Sequence, residues 1–481
     1  MLIKQDLIKI TDYLWEIPKS FRKDMRVPAR IYISEEMLDQ VFKDKTCEQL
    51  INVTTLPGVT KYVVAMPEAH EGYGQCIGGI FASSPEEGVI SPGATGYDIN
   101  CGCRLLISNF FLEEIQPHLV NLANQIQRDV PSGVGRGGEI KLSPQGMDKV
   151  LKLGAEALVE KGFTNLQDLE RIEANGSLKE ADSGAVSFKA KKRGFDQLGT
   201  LGSGNHFLEI QKVERIYSSE IAQVFNLKEG QITFMIHTGS RGLGHQVCTD
   251  YVRIMNGKIS EWKINLPDRE LACAPLNTFE GKNYFAAMCA AANFAWANRQ
   301  VITYLVRNAW KRILGEGKEL TLLYDVAHNI VKIEFHEING KETRLWVHRK
   351  GATRAFPAGH SEVPEIYRKV GQPILIPGSM GTASYVLVGT EEASKSAFGS
   401  TCHGSGRRLS RKGAKREISS TELKKELEAK GIIIRCASLS GLIEEAPQAY
   451  KNIDQVVEVV SRANLVQKVA RLVPLVVIKG E

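Results

Sequence analysis

Asp98, Cys101, His206, His237, His328 and His403 each sit in a short turn rich in Gly or Asn, usually beside an apolar run. Asp98-Ile99-Asn100-Cys101 precedes Leu105-Leu106-Ile107, Ile232 to Ile236 ends at His237, and Leu322 to Val326 ends near His328. Carboxylate, thiolate and imidazole are the side chains that bind divalent transition metals. Their repeated placement at strand ends points to one mouth lined by several loops, which is where folds tend to carry their chemistry. Asp98-x-x-Cys101 can supply two ligands from one turn, and a thiolate can bridge two ions. Mixed O, N and S ligands suit Mn, Fe, Co or Zn better than Mg. Two ions would fit phosphoryl transfer, one activating and the other stabilising the displaced oxygen. Each residue has an ordinary alternative: a turn cap for Asp98, a small buried apolar group for Cys101, a packing role for a lone strand-end His. The joint pattern favours a metal site.

A second chemical feature is Cys402-His403-Gly404-Ser405-Gly406-Arg407-Arg408-Leu409-Ser410-Arg411. A His in a Gly/Ser turn followed by three arginines fits a nucleophile facing a phosphate, with guanidinium groups to neutralise charge. The competing reading is a basic, solvated helix start with a capping Ser. Gly202 to Asn205 and Pro377 to Ser384 offer backbone N–H groups to an anion, or are simply tight turns. No GxxxxGK[ST] sequence is present, which argues against a P-loop NTPase. His118, His336, His348 and His360 lie among charges and read as solvated or packing residues.

The elements that must position these groups alternate irregularly. Residues 53–106 read as strand–turn–strand, and a small helix is expected over Glu35–Phe42. Residues 111–200 are more helical and charged, with helices expected near Pro117–Arg128 and Met147–Lys161, and read as an insertion. A long helical stretch is expected from Gly244 to about Leu314, then strands at Leu320–Tyr324, Val331–Phe335 and Leu345–His348. Ile453, Val456, Val457 and Val460 follow helical spacing, with Pro474 expected to stop that helix before a closing strand at 475–478. The class is mixed α and β (α+β). The apolar stretch Ala286–Val306 is broken by Asn293, Asn298, Arg299 and Gln300, so it reads as a buried helix rather than a membrane span. The 481 residues carry 61 Lys+Arg against 55 Asp+Glu, a net +6 that permits an anionic partner without demanding one. Nine irregularly spaced cysteines do not read as a disulfide framework, and no targeting segment is visible, so a cytoplasmic protein is expected.

Taken together, the motifs resemble those of RtcB-type RNA-splicing ligases. The resemblance rests on GYDINCGCR (96–104), GSGNHFLE (202–209), HTGSRGLG (237–244), DVAHN (325–329), HRKGATRAF (348–356), PGSMGTASY (377–385), HGSGR (403–407), EEAPQAYK (444–451) and VIKG (477–480). It covers nearly the whole chain. It implies one catalytic domain over residues 1–481, with a central β-sheet core, surrounding helices and the 111–200 insertion. It also implies a GTP- and Mn²⁺-dependent ligase that joins RNA 2′,3′-cyclic phosphate or 3′-phosphate ends to 5′-hydroxyl ends, in tRNA splicing and RNA repair. Carried over by position, Asp98, Cys101 and His206 would hold one ion, and Cys101, His237 and His328 the other. His403 would be the nucleophile that takes GMP. Glu209 would read guanine, with Phe207, Ser384, Tyr450 and Lys479 completing the base pocket. Asn205, His206, Leu208, His328, Asn329, Pro377, Gly378, Ser379, Met380, Gly404, Ser405 and Gly406 would make the other nucleotide contacts. Lys350 and Arg407 would handle phosphate charge. In PEAHEGYG (67–74) the family usually has Asp where this chain has Glu68. That acid is expected to orient the nucleophile, and the extra methylene must be accommodated. The implied partners are cleaved RNA, including broken tRNA halves, and an archease-type activator; a monomer is expected. Candidates for backbone contacts to RNA are Lys189, Lys191, Lys192 and Arg193, for which a solvated face is the favoured reading, and Arg349, Arg408, Arg411 and Lys412. A two-metal phosphodiesterase or phosphatase, or a silent RNA-binding relative, are the rival readings.

Overall fold

The computed structural model describes residues 2–436 and 439–480. The ligand-bearing apolar runs all become strands of one sheet. Its order is Thr321–Ala327, Gly102–Phe111, Gln231–Thr238, Phe207–Ile216, Val466–Lys479, Ser384–Gly389, Pro373–Ile376, and neighbours are antiparallel. Ile433–Cys436 adds a parallel strand against Val476–Lys479. Strand side chains alternate between faces, so a strand buried on both sides must be apolar throughout. Accordingly, Cys103, Leu105, Ile107, Phe207 and Met235 enter one core cluster. Leu106, Leu208, Ile210, Phe234 and Ile236 enter another on the opposite face.

That second face carries the two longest helices. The longest, Phe279–Leu314, starts where Thr278 Oγ1 accepts from Gly281 N (3.1 Å) and ends at Gly315, φ 95°. It is buried over most of its length, as expected for Ala286–Val306. No helix among the described residues is long and apolar enough to cross a membrane.

Between Phe111 and Phe207 no strand occurs among the described residues, so this region is helical. Its helices are shorter than expected. Pro117 lies in a 3₁₀ turn ahead of Leu119–Asp129, and Pro144–Leu153 ends where Gly154 adopts φ 60°. The stretch expected from Gly244 to Leu314 divides into Arg241–Lys258 and Phe279–Leu314. Pro474 does not stop the C-terminal helix, which ends at Arg462. It lies inside the strand Val466–Lys479, where the register against Phe207–Ile216 shifts between Pro474 and Val476. Proline lacks the ladder N–H, and such an irregularity is where a strand tolerates it.

A second sheet runs Ile8–Thr11, Leu14–Ile17, Ala29–Tyr32, Val59–His70, Ile77–Ser83, Lys341–Lys350, Asn329–Ile338. His328 is the single residue between Thr321–Ala327 of the first sheet and Asn329–Ile338 of the second. The chain thus crosses between sheets at a candidate ligand.

Candidate active site

Strand order explains why distant ligands meet. Cys103 and Phe207 both pair with His237, and Gly102 pairs with Ala327. The turn before Gly102, the residue before Phe207, the end of Gln231–Thr238 and His328 therefore share one end of the sheet. Cys101 Sγ lies 3.5 Å from His206 Nε2 and 3.3 Å from His237 Nε2. His206 Nε2 lies 2.8 Å from Asp98 Oδ2, and His237 Nε2 lies 3.2 Å from His328 Nε2. Two triads result, Asp98–Cys101–His206 and Cys101–His237–His328, each with donor atoms within 4.8 Å of one another and Cys101 common to both. Donors bound at about 2.0–2.3 Å to one ion stand about 3–4 Å apart, so the spacing fits.

The chemistry of the donors fits as well. Burial and neighbouring histidines hold His237 and His328 far below the usual imidazole range, so both are neutral and offer lone pairs. Their Nε2 atoms face each other, while both Nδ1 atoms are buried without a hydrogen-bond partner. His206 Nδ1 donates to Leu201 O (3.1 Å), which leaves Nε2 for the cluster. Burial pushes the Asp98 carboxyl up, but His206 and Arg241 outweigh it and hold it at about 2. Burial and Asp98 raise the Cys101 thiol well above its usual range, and a bound cation would displace that proton.

His403 follows the short strand Ser400–Cys402, which pairs with Ala352–Arg354. Glu68, near the end of Val59–His70, reaches it despite the longer side chain. Glu68 Oε1 accepts from His403 N (3.1 Å) and lies 3.2 Å from His403 Nδ1. A proton held at Nδ1 leaves the lone pair on Nε2, the state of a nucleophile. The His403 ring lies 4.9 Å from the His328 ring. Gly406, φ 69°, must be glycine here, because a Cβ would fall 2.1 Å from Glu68 O.

A cavity of about 190 Å³ opens beside His403 and His237. Asn205, Phe207, the loop 377–380, the loop 403–406, Arg407, Tyr450 and Lys479 line it. Lys479 Nζ stands 5.9 Å from the Phe207 ring. Arg407 lies over the Tyr450 ring (4.9 Å), and its Nη1 donates to Tyr450 Oη (3.0 Å) and to Glu445 Oε1 (3.2 Å). Glu209 and Ser384 are joined behind the lining through Gln211, whose Nε2 donates to both (2.7 and 3.1 Å).

Other expected contacts are placed differently. The Leu208 side chain lies in the helix-side core, because alternation turns it away from Phe207. Asn329 Nδ2 donates to Asp98 O (3.0 Å) and its Oδ1 accepts from Gly351 N (2.8 Å), so its amide braces the ligand turn. Lys350 Nζ donates to the carbonyls of Tyr73 and Gly93 (2.9 Å to Gly93), and burial lowers it to about 8. Arg349 is not an RNA contact. It is fully buried, with Nη1 and Nη2 on Glu334 at 2.7 and 2.8 Å, because its strand end is paired on both edges and covered on both faces. Lys189, Lys192, Arg193, Arg408, Arg411 and Lys412 are exposed; Lys191 pairs with Asp148 at 2.7 Å. His336 pairs with Glu334, while His348 and His360 stack on Phe81 and Phe356, so these three have packing roles.

Sequence reasoning does not single out two polar residues of the lining, His70 and Glu445. His70 Nδ1 donates to Glu68 O (3.0 Å), and burial lowers its pKa to about 3. It lies in the same PEAHEGYG run as Glu68, which was the available signal. Glu445 lies in EEAPQAYK and is marked out by its ion pair with Arg407 and by the hydroxyl of Tyr450, which donates to its Oε2.

Two triads that could each hold a cation share Cys101 and lie beside a carboxylate-held histidine and a polar cavity, an arrangement that suits an enzyme. The family profile described as tRNA-splicing ligase RtcB matches residues 49–480. The tRNA-splicing ligase RtcB of Thermococcus kodakarensis is 52% identical over 477 residues, 98% of this chain and 99% of its own length. Its namesakes from Archaeoglobus fulgidus, 51% identical over 98% of this chain and 99% of that protein, and Methanococcus maripaludis, 46% over 99% and 100%, align as fully. The chain belongs to the tRNA-splicing ligase RtcB family.

Proposed function

We propose that this chain is a GTP- and Mn²⁺-dependent RNA ligase that joins 2′,3′-cyclic phosphate or 3′-phosphate ends to 5′-hydroxyl ends, acting on broken tRNA halves and other cleaved RNA. The observation that carries the reading is His403. Its Nδ1 side is held by Glu68, its ring neighbours His328, and its loop lines the cavity. A hydrolase or a passive RNA binder needs no such residue.

Asp98, Cys101 and His206 would hold one ion and Cys101, His237 and His328 the other. When bound, the ions supply Lewis-acid stabilisation of phosphate charge. His403 Nε2 bonds to the α-phosphorus of GTP as the bond to the pyrophosphate oxygen breaks. Glu68 stabilises the positive charge that develops on the imidazole. Water opens the cyclic phosphate to a 3′-monophosphate. An oxygen of that phosphate attacks the His403-bound GMP, the imidazole leaves, and an RNA(3′)pp(5′)G end forms. The 5′-hydroxyl then attacks the RNA phosphorus, and GMP departs. Each exchange depends on positioning and charge stabilisation. Glu209 accepts the paired N–H donors of guanine, Phe207 and Tyr450 offer aromatic faces, Lys479 completes the base pocket, and Arg407 offsets phosphate charge.

Incubation with α-labelled GTP and Mn²⁺ tests the proposal. An acid-labile label on the protein, absent from His403→Ala, is expected. No adduct under any divalent metal would overturn the ligase reading in favour of the hydrolase or the RNA binder.

A further inference from the structure

The long helix Phe279–Leu314 carries two fully buried polar neighbours, Asn298 and Arg299. Arg299 uses all five of its N–H donors within the chain. Nε and Nη2 fork onto Asp325 at 2.8 and 2.9 Å. Nη1 donates to Asn100 O and Thr238 O, both at 2.8 Å, and Nη2 also reaches Asn100 Oδ1 at 2.9 Å. Asn298 Oδ1 accepts from Gly199 N (2.8 Å) and Thr200 N (3.1 Å). Its Nδ2 donates to Thr200 O (3.1 Å) and Gly239 O (3.2 Å).

These partners belong to the ligand segments. Asn100, held at φ 51°, lies between Asp98 and Cys101. Thr238 follows His237, and Asp325 lies three residues before His328. Gly199 and Thr200 lead to Leu201, whose carbonyl fixes His206 Nδ1. One rigid helix therefore contacts every segment that presents a candidate ligand.

We propose that Asn298 and Arg299 are positioning residues that set the spacing of the cation centre. Arg299 gauges the Asp98–Cys101 turn against His237 and His328. Asn298 gauges the His206 approach against the end of the His237 strand. The inference rests on reading the cluster as a binuclear metal centre. A lysine cannot replace Arg299, because an ammonium has three donors at one point and no planar fork.

Cobalt(II) titration of the full chain tests this, read by metal content after dialysis and by the thiolate-to-cobalt absorption that Cys101→Ala should lack. The parent protein is expected to take up two ions. Arg299→Lys should weaken uptake of both by about 10- to 100-fold, the usual effect of removing an outer-sphere partner. Asn298→Ala should weaken mainly the ion that uses His206. Asn100→Gly, which keeps the left-handed turn without its side-chain bonds, should also weaken uptake while folding normally. Arg307→Lys is the comparator. It lies on the same helix, paired with Asp168 at 2.5 and 2.8 Å and away from the ligand segments. It should lower thermal stability and spare metal affinity. If the parent binds two ions and Arg299→Lys and Asn100→Gly bind them equally well, the inference fails alone. It also fails alone if Arg307→Lys loses as much affinity as Arg299→Lys. A parent that takes up fewer than two ions overturns the binuclear reading and the inference with it.

Discussion

Glu209 makes the guanine reading measurable through a proton. It lies two residues from Phe207 on the same strand, hence on the cavity side of the sheet, yet it is only 1% exposed. Burial pushes its carboxyl up to about 8, against the Gln211 hydrogen bond and the charge of Lys479. At pH 7 the nucleotide-free pocket therefore holds Glu209 neutral by about ten to one, and ionising it costs about 1.4 kcal/mol. Guanine presents two adjacent N–H donors, and only the carboxylate accepts both. Guanine binding should thus expel close to one proton at pH 7. Affinity should rise as pH rises, roughly fivefold between pH 7 and 8, and level off above about pH 9. Stability of the nucleotide-free protein runs the other way. A carboxyl whose folded pKa lies above its unfolded value contributes fully below about 4.5, and the contribution is lost as pH rises through about 8.

The assay is calorimetry of GMP binding in two pH 7 buffers of different ionisation enthalpy, for the parent and for Glu209→Gln. The parent enthalpy should differ between buffers by about 0.9 of the difference in their ionisation enthalpies. Glu209→Gln should show far less buffer dependence. It should also bind GMP more weakly by about 2–3 kcal/mol, roughly 30- to 150-fold, for loss of the charge-assisted pair. Equal enthalpies in both buffers for the parent would refute the reasoning, because no proton would then accompany binding. So would a Glu209→Gln protein that releases the same proton, because another group would then be its source.

Glu68→Gln should slow labelled-GMP transfer to His403 by roughly 10²- to 10⁴-fold while leaving GMP affinity intact; a rate within a few-fold of the parent would show that the carboxylate does not act on the nucleophile. Cys101→Ala should lose both ions by metal analysis, since its sulfur belongs to both triads; one retained ion would rule out bridging. Leu208→Ala and Phe207→Ala change adjacent residues on opposite faces. The first should lower stability by about 2–5 kcal/mol and spare GMP affinity, and the second should weaken GMP binding. Equal losses of GMP affinity, measured well below either melting temperature, would show that alternation does not separate the two roles.

The candidate ligands could be picked out in sequence because most sit beside an apolar run, and apolar runs flanked by Gly or Asn become buried strands that end in loops. What sequence period cannot report is which strand ends are neighbours. Glu68 and His403 are 335 residues apart, and no local pattern links them. Pairing of Gln231–Thr238 with Gly102–Phe111 on one side and Phe207–Ile216 on the other brings Cys101, His206 and His237 together. Pairing of Phe207–Ile216 with Val466–Lys479 then brings Lys479 over Phe207. The same limit explains the misplacements. Arg349 stands in a basic run, but its depth is set by sheet partners that the run does not name. Pro474 interrupts an apolar segment, yet a local register shift leaves the strand intact around it.

Arg299 shows the limit at its sharpest. In sequence it is one of four polar breaks in an Ala-rich helix, sufficient to argue against a membrane span and nothing more. A fully buried guanidinium must satisfy five donors or lose stability, so its partners must converge from wherever the fold can supply them. Here they come from Asn100, Thr238 and Asp325, on three separated segments that also present ligands. The cost of burying that charge is thereby coupled to the geometry of the site: a backbone shift that opened the ligand cluster would also leave buried donors unpaired. A polar interruption that composition treats as a flaw in a core helix is thus a feature that makes distortion of the candidate cation centre energetically expensive.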